Sequence, residues 1–123
     1  MVPHDGSAMS DKALDRAIEL AAGAGMQIAL LYVVEEYPLP LAKYSLRLPA
    51  NKTVRENLDK LYRAMEEDGL EMLQAKKGRC ESAGVQAKVA VSRGHPVKEI
   101  RAAAKNEGAE LVVMGSTGLS GIS

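Results

Sequence analysis

The chain has 123 residues, enough for one domain with a buried core. Sixteen Lys and Arg balance sixteen Asp and Glu, so the formal net charge is zero and the broad positive field that nucleic-acid binding needs is excluded. Phe and Trp are absent and the four tyrosines are scattered, which removes the stacking platform of a single-strand binder, and no apolar run approaches the roughly 18 residues of a membrane span.

The chain opens on Met1-Val2-Pro3-His4, which reads as the last piece of a strand, and turns at Asp5-Gly6-Ser7. These polar, turn-forming first residues do not resemble a signal peptide, so the expected location is cytoplasmic. Ser10 is read as a helix N-cap with Asp11 in the first turn; Ala13, Leu14, Ala17, Ile18 and Ala21 form the apolar stripe, and Gly23 and Gly25 stop the helix. Residues 28–34 are a continuous apolar run with branched side chains and no alternation. That pattern predicts a strand buried on both faces, as in a parallel sheet.

Prolines 38, 40 and 49 make residues 35–51 a loop, whose leucines suit packing on the body of the domain, a lid or a dimer contact. A long helix is predicted over 52–83, capped by Asn51 or Thr53. Val54, Leu58, Leu61, Tyr62, Met65, Met72 and Leu73 are expected on its buried side, with Gly69 as a weak point and Gly84 as its end. Cys80, the single cysteine, lies in this helix and is read as a small buried side chain; alone, it excludes an internal disulfide. The acidic run Glu66-Glu67-Asp68 is read as a solvated face. Residues 85–91 alternate as a strand near the sheet edge should, and residues 93–96 are read as a turn. Pro96 then opens a helix with Val97, Ile100, Ala103 and Ala104 inward, ended by Gly108. Residues 111–114 form a further short strand, followed by a glycine-rich tail. The order β-α-β-α-β-α-β predicts an α/β fold in which an open parallel sheet carries helices on both faces, with ligands at the carboxyl ends of the strands.

Gly115, Gly118 and Gly121 recur every third residue after a buried strand. Glycine lets main chain approach a ligand, and successive N–H groups can form an anion site, with Ser116, Thr117 and Ser120 as uncharged donors; the bland alternative is a flexible turn. No lysine follows Lys105, so this is not a Walker loop, and its place in the chain is not that of the dinucleotide G-x-G-x-x-G. Amides and hydroxyls holding phosphate without a cation favour binding over fast phosphoryl transfer. Asp5, just past the first strand, can accept from a base amino group or a ribose hydroxyl, or can simply close an Asx turn with Gly6 and Ser7. His4 and Asp5, being adjacent, point to opposite faces and make a poor dyad; His4 is read as a packing residue and His95 as solvated. No catalytic or metal-binding residue is assigned.

These residues together resemble the universal stress protein family over nearly the whole chain. Val2-Pro3-His4-Asp5-Gly6-Ser7 is similar to the family's opening strand and turn, Leu30-Leu31-Tyr32-Val33-Val34 to its second strand, and Gly94-His95-Pro96 to its Gly-x-Pro turn. The most specific stretch is Gly108-Ala109-Glu110-Leu111-Val112-Val113-Met114-Gly115-Ser116-Thr117-Gly118. The resemblance implies a Rossmann-like sheet of five parallel strands in order 3-2-1-4-5, a homodimer, and ATP, ADP or AMP as ligand, with or without Mg2+, hydrolysed weakly if at all. It places adenine near Pro3, Asp5 and Val33, the sugar near Met114 and Gly115, and ribose and phosphates near Thr117 and Gly118, with Ser116 between them. ATP-binding members carry Gly-x2-Gly-x9-Gly-Ser/Thr. Gly115 and Gly118 match its first half, while the second half would fall beyond Ser123, as would the fifth strand. The expectation is therefore a single domain over 1–123, truncated at both ends. Two other readings stand beside the nucleotide-binding one: a nucleotide-free dimeric interaction module of the same fold, and an enzyme related to adenine-nucleotide hydrolases.

Overall fold

A computed structural model describes residues 1–36, 52–108 and 113. Among the described residues, three parallel strands pair in one sheet: β1 (Val2–Pro3), β2 (Ile28–Glu35) and β3 (Ala87–Gly94), in spatial order β1-β2-β3. Val2 stands opposite Leu30 and Pro3 opposite Leu31, while β2 pairs with β3 from Ile28↔Ala87 to Glu35↔Gly94. This is the 3-2-1 part of the expected order. The expected fourth strand at 111–114 lies outside the described residues except for Val113, whose N–H donates to the Met1 carbonyl at 3.0 Å. The loop leucines and prolines at 37–51 and the glycine-rich tail also lie outside the described residues.

Helix α1 (Ala8–Ala24) connects β1 to β2, α2 (Lys52–Ser82) precedes β3, and α3 (Pro96–Asn106) follows it. Side chains of a strand alternate between faces. One face of the sheet, carrying Val2, Ile28, Leu30 and Ala87, packs against Leu14, Ala17 and Ala21 of α1 and against Leu73 and Cys80 of α2. The other face carries Ala29, Leu31 and Ala90, which with Ala103 line a small cavity under α3. Leu14 and Leu73 are wholly buried, and each such side chain contributes about 1.5–3 kcal/mol through area removed from water. Cys80 is wholly buried as well, and burial pushes its thiol pKa up, which makes it an unreactive packing residue.

The structure corrects several element boundaries. The cap of α1 is Ser7, not Ser10: Ser7 is extended (φ −77°, ψ 162°), and its hydroxyl oxygen accepts from the Ser10 N–H, so the Asp5-Gly6-Ser7 turn runs straight into the helix. Gly23 is helical, and only Gly25, at φ 66°, takes the left-handed conformation that ends α1. Thr53 is inside α2 and cannot cap it; Asn51 lies outside the described residues. Arg93 and Gly94 continue β3 rather than forming a turn, because their pairing with Val34 and Glu35 extends the ladder.

The buried side of α2 keeps Leu58, Tyr62, Met65, Met72 and Leu73 of the expected stripe and departs from it at two positions. Val54 and Leu61 are exposed, at 46% and 55%, whereas Gly69 and Cys80 join Leu73 on the buried side. Gly69 is not a weak point but the place of closest approach, because the Tyr32 ring lies directly over it. Glu66 is likewise not purely solvated. It pairs with Arg93, which also meets Asp59 at 3.0 Å, Glu36 at 3.6 Å and the Tyr62 ring at 5.2 Å, while Glu67 and Asp68 are exposed.

Candidate functional site

The carboxyl ends of the three strands lie side by side, as parallel pairing requires. Past β1 come His4 and Asp5; at the end of β2 stand Val33 to Glu35; at the end of β3 stand Arg93 and Gly94. The sheet edge is held together there by the Glu36 N–H donating to the Gly94 carbonyl at 3.1 Å and the His4 N–H donating to the Leu31 carbonyl at 2.7 Å.

Asp5 is exposed, and its carboxylate is fixed from one side. Its Oδ1 accepts from the Ser7 N–H at 2.9 Å and from the Ser10 hydroxyl at 2.7 Å. The first bond is an Asx turn; the second ties the carboxylate to the first turn of α1. Partial burial pushes the Asp5 pKa up, but the hydrogen bonds from Ser7 and Ser10 outweigh it and hold the group below the usual carboxylate value. The site therefore presents a pre-ordered anionic acceptor. Pro3 is buried and Val33 half-buried. Since Pro3 pairs with Leu31, Val33 stands two residues further along on the same face of the sheet, so the structure brings Pro3, Asp5 and Val33 to one strand end. Met114, Gly115, Ser116, Thr117 and Gly118 lie outside the described residues.

His4 is 2% exposed, and both ring nitrogens are engaged: Nδ1 accepts from the Gly6 N–H at 3.0 Å, and Nε2 meets Asp11 Oδ1 at 3.0 Å. The partner carboxylate is thus Asp11 rather than the adjacent Asp5. Asp11 also takes Lys76 Nζ of α2 at 2.7 Å and, at 3.6 Å, Arg79 Nη1. The Lys76 bond is the main reason its pKa falls, against a smaller opposing push from burial. Sequence reasoning missed Ser10 and Asp11 as supports of the turn. The Ser7…Ser10 spacing was a usable sign of a cap; nothing local marks Asp11, whose partners come from the turn after β1 and from α2. Among the described residues no group of three or more His, Cys, Asp or Glu side chains could hold a metal, and no helix is long and apolar enough to cross a membrane.

A short parallel sheet flanked by helices, with a fixed carboxylate where β1 meets α1, defines an α/β domain of the kind that takes ligands at the strand ends. The chain matches the universal stress protein family over residues 1–123 and belongs to it. It is 34% identical over 123 residues to the universal stress protein YxiE of Bacillus subtilis, covering 99% of this chain and 80% of that protein. A universal stress protein structure from Burkholderia pseudomallei superposes with a TM-score of 0.70 at 28% identity, over 94% of this chain and 79% of that one. A universal stress protein in complex with cAMP shares the fold, with a TM-score of 0.62 at 23% identity, over 98% of this chain and 77% of that one.

Proposed function

We propose that this protein binds an adenine nucleotide, ATP foremost, at the carboxyl ends of β1 and β2 and acts in the stress response with the nucleotide as a switch or a slowly hydrolysed ligand. The observation that carries the reading is the Asp5 carboxylate, held ionised and aimed by Ser7 and Ser10 at an exposed position beside Pro3 and Val33. An anionic acceptor flanked by apolar side chains suits a base or ribose, which pairs an apolar face with amino or hydroxyl donors. The sequence Gly115-Ser116-Thr117-Gly118, following Val113, supplies amides and hydroxyls of the type that hold phosphates without a lysine. A universal stress protein of the same fold was solved in complex with cAMP, an adenine nucleotide of the class proposed here. Mg2+ would then arrive on the phosphates, and the working unit would be a cytoplasmic homodimer.

Titration calorimetry with ATP, ADP and AMP, with and without Mg2+, tests this. The expected result is saturable heat with ATP at a dissociation constant on the order of micromolar, about −8 kcal/mol. Absence of heat with all three nucleotides, at protein concentrations that would detect millimolar binding, removes the reading and leaves the nucleotide-free interaction module of the same fold.

A further inference from the structure

His4 stands at the centre of a network that the nucleotide reading does not use. Its ring is buried beneath the turn that carries Asp5, bonds to that turn and to α1, and reaches α2 through Asp11. The Gly6 N–H of the turn donates to Nδ1. A nitrogen that accepts carries no proton, so in the neutral ring the proton sits on Nε2, which donates to Asp11 of α1. Asp11 in turn is gripped by Lys76 and Arg79 of α2. Gly6, at φ 86°, lies between Asp5 and Ser7, so the bond to His4 fixes the middle of the Asx turn that orients the carboxylate.

We propose that His4 is the positioning residue of the Asp5 turn: its neutral ring pins the Gly6 amide, and a second ring proton, which removes the acceptor at Nδ1, releases the turn and weakens ligand binding. This rests on the reading of Asp5 as a nucleotide contact. The charged groups facing the ring are Asp11 from α1, Lys76 from α2 and Asp5 from the turn itself; the two carboxylates favour the charged ring and Lys76 opposes it. Burial is the largest influence, and the balance holds His4 below its ordinary value. The sign follows. The ring is neutral and the turn intact at and above the ordinary histidine value of 6.5, and the bond to Gly6 is lost only as pH falls through the depressed folded value.

Three measurements on the same chain test the proposal. Nitrogen NMR of the His4 ring is expected to show the Nε2-protonated form at neutral pH. Hydrogen exchange at the Gly6 amide is expected to accelerate as that ring titrates. His4→Asn keeps an acceptor near the Nδ1 position and cannot titrate, so its Gly6 amide stays protected across the whole range in which the wild-type ring titrates. ATP affinity, taken as the ratio of wild type to His4→Asn so that titration of the nucleotide cancels, should fall roughly three- to tenfold over the same range, the scale of one hydrogen bond. A proton on Nδ1 at neutral pH, or Gly6 protection that ignores the ring's titration, overturns the proposal. If ATP binds and the affinity ratio is flat with pH, the proposal fails while the nucleotide reading stands. If no form binds ATP yet Gly6 exchange follows the ring, His4 still holds the turn and the nucleotide reading falls.

Discussion

Gly69→Ala is expected to destabilise the protein by about 1–2 kcal/mol, against the direction that helix propensity alone dictates. In an exposed helix interior, alanine is favoured over glycine by roughly 1 kcal/mol. At Gly69, however, a Cβ would stand 2.5 Å from Tyr32 Cε1 and 2.9 Å from Tyr32 Cγ. Cγ is bonded to Cβ and so lies only two bonds from the β2 backbone, which leaves the ring little room to swing clear; either α2 lifts from the sheet or the ring leaves its rotamer. Overpacking of this kind costs about 1–3 kcal/mol and exceeds the propensity gain. The melting temperature should fall by several degrees. The paired control is Tyr32→Ala: in that background the ring is gone, and Gly69→Ala should become stabilising by up to about 1 kcal/mol. A stabilising Gly69→Ala in the wild-type background would mean that Tyr32 does not separate β2 from α2.

Asp5→Ala is expected to weaken ATP binding by roughly 10- to 100-fold, the scale of one hydrogen bond to a charged acceptor. Asp5→Asn should lose less, about tenfold or below, because the amide oxygen can still accept from Ser7 and Ser10 and preserve the turn while the negative charge is lost. The melting temperature separates the two roles of this residue. A variant with wild-type melting and weakened binding reports the ligand contact. Unchanged affinity in both variants, with the fold intact, would show that Asp5 serves only the Asx turn.

Much of the architecture was legible from local pattern. The unbroken apolar run at 28–34 announced a strand covered on both sides, and the α1 stripe at Ala13, Leu14, Ala17 and Ala21 is the one that packs on the sheet. What pattern could not convey was contact between distant elements. Gly69 looked like a helix defect because the ring that occupies its empty side belongs to β2. Arg93 and Gly94 looked like a turn because Gly-x-Pro is a turn signature, whereas the pairing of Val34 and Glu35 extends β3 through them. Glu66 looked solvated because its partner, Arg93, lies 27 residues away. At the candidate site the sequence singled out Asp5, the family resemblance added Pro3 and Val33, and all three lie toward the carboxyl ends of β1 and β2. The support beneath Asp5 was invisible: Ser10 was read as a cap, and His4 as a packing residue without its bonds to Gly6 and Asp11.

The most direct test of the central claim is an amide NMR titration of the protein with ATP. Shifts are expected to concentrate on Asp5, Gly6 and Ser7, on Val33 and on residues 115–118, with little change along the outer face of α2. Saturable shifts confined to the opposite, amino-terminal end of the sheet near Met26 and Gln27, or no shifts at millimolar ATP, would contradict it.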